Sequence, residues 1–238
     1  MIAARQIFLG RDCSIAPTDK YILRLKDGID LRSDVNFPDG DFTLAFWFKG
    51  YSMGVNGIWH FGWADRGWGG SRSFWDSSTL TFRYATGSAQ TSFSIPSLGQ
   101  YATDGQWHHF AYRRNGSTVS AICDGVNVLN ASVTALHKND GVPMSIGSIG
   151  NDSNNNWGRG DKSIGFFCLF NRALSDTELS QLAAARSLQS DGGFFTSLVC
   201  GYELSSDTLL GDVTGNHPLT LYNKSGETVE YSDLLPRY

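Results

Sequence analysis

Along FTLAFWFKG, residues 42–50, Phe42, Leu44, Phe46 and Phe48 alternate with Thr43, Ala45, Trp47 and Lys49, the period of two that predicts a β-strand. Both faces are rather apolar, so this strand is predicted to be central in its sheet. In TLTFRYATG, Leu80, Phe82 and Tyr84 fall on one face and Thr79, Thr81 and Arg83 on the other, a half-buried strand with one face open to water. QWHHFAYRRNGSTVSAICDGVNV reads as three strands joined by Asn-Gly and Asp-Gly turns, dipeptides that supply the positive φ of tight hairpins. The period changes after an apolar strand in IGFFCLFNRALSDTELSQLAAAR. Ser175 with Glu178 three residues on forms a capping box, and the Leu179 and Leu182 spacing predicts a short helix over residues 176–186. The tail SLVCGYELSSDTLLGDVTGNHPLTLYN returns to strands, with turn signals at Thr214, Gly215 and Asn216.

The aromatic stretch GIWHFGWADRGWGGSRSFWD contains both core and surface candidates. Alternation puts Trp59, Phe61 and Trp63 on one strand face and Ile58 and His60 on the other, so Trp59 and Phe61 are predicted to be core. The glycine-rich, charged ADRGWGGSRS reads as a loop, which would place Trp68 on or near the surface beside Asp65, Arg66 and Arg72. A tryptophan so flanked suits stacking on a sugar or anchoring a protein interface. Trp157, set among Asn154 and Arg159 in NDSNNNWGRGD, is a second such place. For both, a ring folded back over its own loop is the bland alternative.

Composition agrees with an all-β chain: among 238 residues there are 27 glycines, with 13% aromatic and only 18% charged residues. A net charge of −4 without a Lys/Arg run gives no footprint for nucleic acid. No stretch reaches the ~20 apolar residues of a membrane span, and the start lacks a secretory pattern, so folding in a cytosol is expected. Cys13, Cys123, Cys168 and Cys200 are widely spaced, without Cys-x-x-Cys or zinc-type histidine spacing, and are read as reduced.

Four segments, GDFTLAFWFK, DGQWHHFAYRRNGSTVSAICDGV, SIGSIG and IGFFCLFNRALSDTELSQL, in that order, resemble the laminin-G-like, concanavalin A-like lectin/glucanase family. The second and fourth are the specific ones. The resemblance implies a two-sheet antiparallel jelly-roll β-sandwich with one short helix near residues 176–186. Without an internal linker, residues 21–238 are expected to form one domain, preceded by an arm at 1–20. LVCGYELSSD and GDVTGNHPLTL resemble segments that precede the FTLAFWFK strand in many relatives. Here they follow the helix, so 198–221 is expected to be a permuted segment filling the same place in the sheet.

The fold's glucanases carry a catalytic Glu-x-Asp-x-Glu-like strand, and that motif is missing from this sequence. Glu203 has Ser205 at i+2 and Asp207 at i+4, which does not complete the motif, and Glu227 and Glu230 would point to opposite faces. His108 and His109, adjacent in a strand, also point apart and cannot ligate one metal together. No Gly-x-Ser-x-Gly elbow supports a catalytic serine. Some members of the family bind calcium through loop carboxylates and carbonyls. Here the matching oxygen donors would be Asp152 with Asn151 and Asn154, or Asp212 with Asn216, although Asp and Asn also make turns on their own.

A binding, non-enzymatic sandwich is the expectation. By analogy of context, it is read as a bacteriophage virion-surface protein, a capsid-decorating or tail-associated subunit that mediates attachment and meets other virion proteins or its own copies through the arm. An extracellular carbohydrate-binding lectin module of a cellular protein is the alternative, with cell-surface glycans as partners, and a glycoside hydrolase is the weaker one.

Overall fold

A computed structural model describes residues 21–26, 29–52, 56–61, 70–76, 78–85, 90–137, 144–148, 160–185, 188, 193–205, 208, 210–223 and 230–234. Two antiparallel sheets face each other. The eight-stranded sheet has the order β10 (Val126–Ser132), β9 (Thr118–Cys123), β8 (His108–Asn115), β3 (Phe42–Gly50), β12 (Lys162–Phe170), β1 (Tyr21–Leu25) and β15 (Glu230–Leu234), with β13 (Leu198–Tyr202) also paired to β12. The seven-stranded sheet runs β14 (Thr220–Asn223), β2 (Ile29–Ser33), β11 (Met144–Ile146), β4 (Asn56–Phe61), β5 (Ser71–Asp76), β6 (Thr79–Ala85) and β7 (Gln90–Ile95). The chain is thus an all-β, concanavalin A-like antiparallel sandwich.

The alternation along β3 sorts its residues as the sequence predicts. Phe42, Leu44, Phe46 and Phe48 join the core between the sheets, while Ala45 and Trp47 belong to a second apolar cluster. That cluster forms where helix α1 (Asp176–Ala183) covers the back of the eight-stranded sheet with Leu179 and Leu182. Both faces of β3 are therefore buried, between β8 and β12. Trp59 and Phe61 meet the opposing sheet in the main core, with Trp59 5.7 Å from the Tyr112 ring and Phe82 4.6 Å from it. Ser73 and Tyr112 hydroxyls bond across the same core at 2.6 Å. Ile58 departs from simple alternation: a register shift between Gly57 and Trp59 places it at a bulge, and it joins the main core.

The hairpins carry a small correction. The first loop is Gly116-Ser117, with Asn115 still in the strand and Gly116 at φ 58. Asp124 and Gly125, at φ 49 and 76, make the second turn as read from the sequence. Helix α1 ends at Ala183, shorter than the predicted reach to residue 186. Its capping box is present: Ser175 accepts from the Glu178 N–H, and the Glu178 carboxylate accepts from the Ser175 N–H at 2.8 Å. Arg172 grips the same carboxylate at 3.0 and 2.5 Å and, with these bonds, lowers its pKa to about 2. Ser175→Ala should cost about 1 kcal/mol of stability, read as a lowered urea midpoint with an unchanged slope.

Segment 198–202 pairs with β12 through Phe167↔Tyr202, Cys168↔Gly201 and Leu169↔Cys200, while Thr220–Asn223 edges the other sheet beside β2. β12 thereby has two partners on one edge, β13 toward its end and β1 at Lys162 and Ser163. Phe166, at φ 46, marks the bulge between them. Among the described residues, no helix is long and apolar enough to cross a membrane.

Candidate functional site

One polar row crosses the outer face of the seven-stranded sheet. Cross-strand register aligns Thr220 with Arg32, Arg32 with Ser145, Ser145 with His60, His60 with Arg72, Arg72 with Arg83, and Arg83 with Ser92. Strand neighbours in register lie about 5 Å apart on one face, so these side chains form a continuous line across seven strands. The residues on either side of His60 and Arg83, which are Trp59, Phe61, Phe82 and Tyr84, point inward and are buried, so the sheet separates a largely apolar inner face from this polar outer one. Thr220 and Ser92 are exposed, Arg32 and Arg83 half-buried, and Ser145, His60 and Arg72 buried.

Charge along the row is uneven. At the β2 end, Arg32 pairs with buried Asp30 at 3.1 Å and lies over the Tyr222 ring at 3.7 Å. Toward β6, Arg72 and Arg83 stand opposite each other with their guanidinium carbons over the Phe74 ring, 5.9 and 5.1 Å from its centroid. Burial first, and then the neighbouring Arg83 charge, lowers the Arg72 pKa to about 10, which leaves its guanidinium charged at neutral pH.

Arg72 corrects the sequence reading. It was expected in a glycine-rich loop beside Trp68, but it belongs to β5 and is only 8% exposed. The strand extends through SRSFWD because Ser71, Ser73 and Trp75 point inward while Arg72, Phe74 and Asp76 point outward, an alternation that the preceding glycines mask. Trp63, Asp65, Arg66 and Trp68 lie outside the described residues, as do Asn151, Asp152, Asn154, Trp157 and Arg159. The strands that lead into these two segments are informative. β4 and β11 are antiparallel neighbours, so the chain leaves β4 toward residues 62–69 and β11 toward 149–159 at opposite ends of the sheet.

The expected oxygen donors around Asp212 do not fit a calcium ion. Asp212 Oδ1 accepts the N–H groups of Gly201 at 2.8 Å and Thr214 at 3.2 Å, while Oδ2 accepts the Thr214 hydroxyl and the His217 N–H. The carboxylate is engaged by its own turn, and the Asn216 amide donates to Thr214 Oγ1 at 3.3 Å. Glu203 is likewise a structural acceptor, buried against the Leu188 N–H at 2.8 Å.

A second titratable cluster, His108 with carboxylate partners that the sequence does not reveal, sits on the eight-stranded sheet. His108 lies between two carboxylates, Nδ1 2.7 Å from Asp124 and Nε2 2.9 Å from Asp104, with Tyr101 stacked at 3.9 Å. Burial opposes charging this ring, but the bonds and fields of Asp124 and Asp104 together outweigh it and raise its pKa. His109 points to the other face, against Trp47, where complete burial lowers its pKa to about 4. Cys123 is within 4.8 Å of His108 and Asp124, yet burial raises its thiol well above the ordinary value. With both His108 nitrogens bonded and the thiol protonated, this set braces the β8–β9 hairpin and does not suit a metal. The sequence signal for it was the Asp-Gly turn placed sixteen residues beyond His108, which only strand pairing converts into a contact.

Layered antiparallel sheets, with a helix on the back of one and a polar row on the outside of the other, define a concanavalin A-like β-sandwich. The chain belongs to the concanavalin A-like lectin/glucanases superfamily, whose model matches residues 25–180. No curated protein matches the chain. Among solved structures, it is similar to a protein of Bacteroides ovatus assigned to carbohydrate binding, at 13% identity and a TM-score of 0.65, covering 91% of this chain and 61% of that one. The chain thus spans about three-fifths of that relative. It is also similar to domains LG4-5 of the mouse laminin alpha1 chain, at 12% identity and TM-score 0.51, covering 71% and 48%. A heptameric SAP-like pentraxin of Limulus polyphemus matches at 14% identity and TM-score 0.53, covering 88% and 98%. At these identities the likeness is one of fold.

Proposed function

We propose that the chain is a non-catalytic, carbohydrate-binding β-sandwich whose ligand lies on the outer face of the seven-stranded sheet. The observation that carries this reading is the row from Arg32 to Ser92, polar side chains aligned by register on a face whose reverse is core. Its accessible members, Thr220 and Arg32 at one end and Arg83 and Ser92 at the other, offer hydrogen-bond donors and acceptors to a hydroxylated ligand, while the buried Ser145, His60 and Arg72 lie beneath. Residues 62–69 join β4 to β5, the strands of His60 and Arg72, so Trp68, Asp65 and Arg66 belong to the same proposal as a flanking stacking segment. The carbohydrate-binding assignment of the Bacteroides ovatus relative supports it.

Absence of turnover is part of the reading. Its support is chemical: Glu203 is engaged by a backbone amide, and burial raises the thiols of Cys123, Cys168 and Cys200 away from reactive thiolates. The finer setting is also proposed: display on a virion surface, with residues 1–20 as an attaching arm and 198–221 as a permuted piece of one domain. Co-sedimentation of the full chain, but not of a chain lacking residues 1–20, with virions would support that setting.

A glycan-array screen of the folded protein tests the function. Selective retention of saccharides, without release of cleaved products on prolonged incubation, is expected. A folded protein that retains none, or one that hydrolyses what it retains, would overturn the reading.

A further inference from the structure

We propose that Arg72 and Arg83, both over the Phe74 ring, form a subsite for the anionic group of an acidic saccharide, a sugar carboxylate or a sulfate ester. This inference rests on the carbohydrate-binding reading and specifies its ligand.

The two arginines face each other on adjacent strands. Like charges placed directly opposite in a sheet repel, and the pair persists only if something else offsets it. Among the described residues, neither guanidinium makes a hydrogen bond or ion pair, and Nε of each is buried without a partner. Asp76, exposed on the same face of β5, does not reach either one. Arg72 is 8% exposed, so its charge is held largely out of water without an acid beside it.

Both guanidinium carbons lie over the Phe74 ring, at 5.9 and 5.1 Å from its centroid, so the ring draws the two cations to one place on the sheet face. Two guanidinium groups on neighbouring strands can each donate to the oxygens of one carboxylate or sulfate ester, the anions that arginine binds best. Cover for an apolar ring alone would need one guanidinium, and the second adds only repulsion. Half-buried Arg83 faces the exposed Ser92, so an anionic substituent can enter from the β7 side while the sugar it belongs to runs along the row.

The test uses the full chain against matched neutral, carboxylated and sulfated glycans, with inorganic sulfate as a separate probe. Acidic glycans are expected to bind, neutral counterparts to bind at least tenfold more weakly, and Arg83→Gln to weaken the acidic ligands roughly tenfold to hundredfold. Arg83→Lys, which keeps the charge but not the fork, should fall between. Because it relieves repulsion, Arg83→Gln should unfold at the same temperature as the parent or higher; a lower one would assign Arg83 a structural role and overturn the proposal. Carboxylated against sulfated glycans tell which anion is preferred. Equal binding of neutral glycans, acidic binding unchanged in Arg83→Gln, or inorganic sulfate bound as tightly as any glycan would overturn the subsite yet leave sugar binding standing. Retention of no glycan by the folded chain would overturn both.

Discussion

Trp59→Ala is expected to lower the unfolding free energy by about 3–5 kcal/mol, the cost of emptying the largest kind of buried side chain. Trp59 is completely buried and packs against Phe61, Phe82 and Tyr112, with ring centroids 5.8, 5.8 and 5.7 Å away. Those neighbours belong to both sheets, so the cavity would open between layers that no local shift of one strand can close. Trp59→Phe should be much milder, about 1–2 kcal/mol, because the indole N–H is buried without an acceptor and its removal relieves an unmet donor. Urea titrations of both variants check the pair of values. A Trp59→Ala protein as stable as its parent would contradict the packing described here. The aromatic stretch is therefore divided by role: Trp59, Phe61 and Trp75 hold the sheets together, while Arg72 and Phe74, from the same few residues, face outward.

The second large effect is a dome in stability against pH, built from adjacent histidines with opposite shifts. For His108 the folded pKa is raised above the ordinary 6.5, so its contribution is fully present below about pH 6.5 and is lost as pH rises through the folded value. For His109 the folded pKa is lowered to about 4, so its contribution is fully present above about pH 6.5 and is lost as pH falls from there toward 4. The two limbs meet near pH 6.5. The acid limb contributes about 3 kcal/mol at most, for a shift from 6.5 to about 4. Glu178 loses its contribution at lower pH, between its ordinary 4.5 and about 2, and so lies outside the histidine window. Denaturation midpoints measured from pH 4 to 9 should flatten on the alkaline side in His108→Gln and on the acid side in His109→Gln. A parent protein whose stability is flat across that range would contradict the assigned environments.

Much of the fold is legible in the sequence because short-range rules decide it. Period-two alternation marks β3 and β6, the Asp124-Gly125 pair demands positive φ, and Ser175 with Glu178 announces the helix start. The exceptions are local conflicts. Glycines before Ser71 hide the alternation of β5, and the bulge at Gly57 turns Ile58 inward against its expected phase. The site was less legible, since it is a product of register. Arg32, Ser145 and Thr220 are far from Arg72 in the chain and meet its row only through pairings that no local pattern specifies. Arg72 was singled out for its neighbours in sequence, and its partner proved to be Arg83, a residue read merely as the wet side of a strand.

Amide chemical-shift mapping with a saccharide retained on the array is the most direct test of a sugar site on this sheet face. Shifts confined to the seven-stranded sheet, strongest at Arg72, Phe74, Arg83 and Ser92, are the predicted result. Shifts centred instead on the eight-stranded sheet, around β8, β9 and β10, would contradict it.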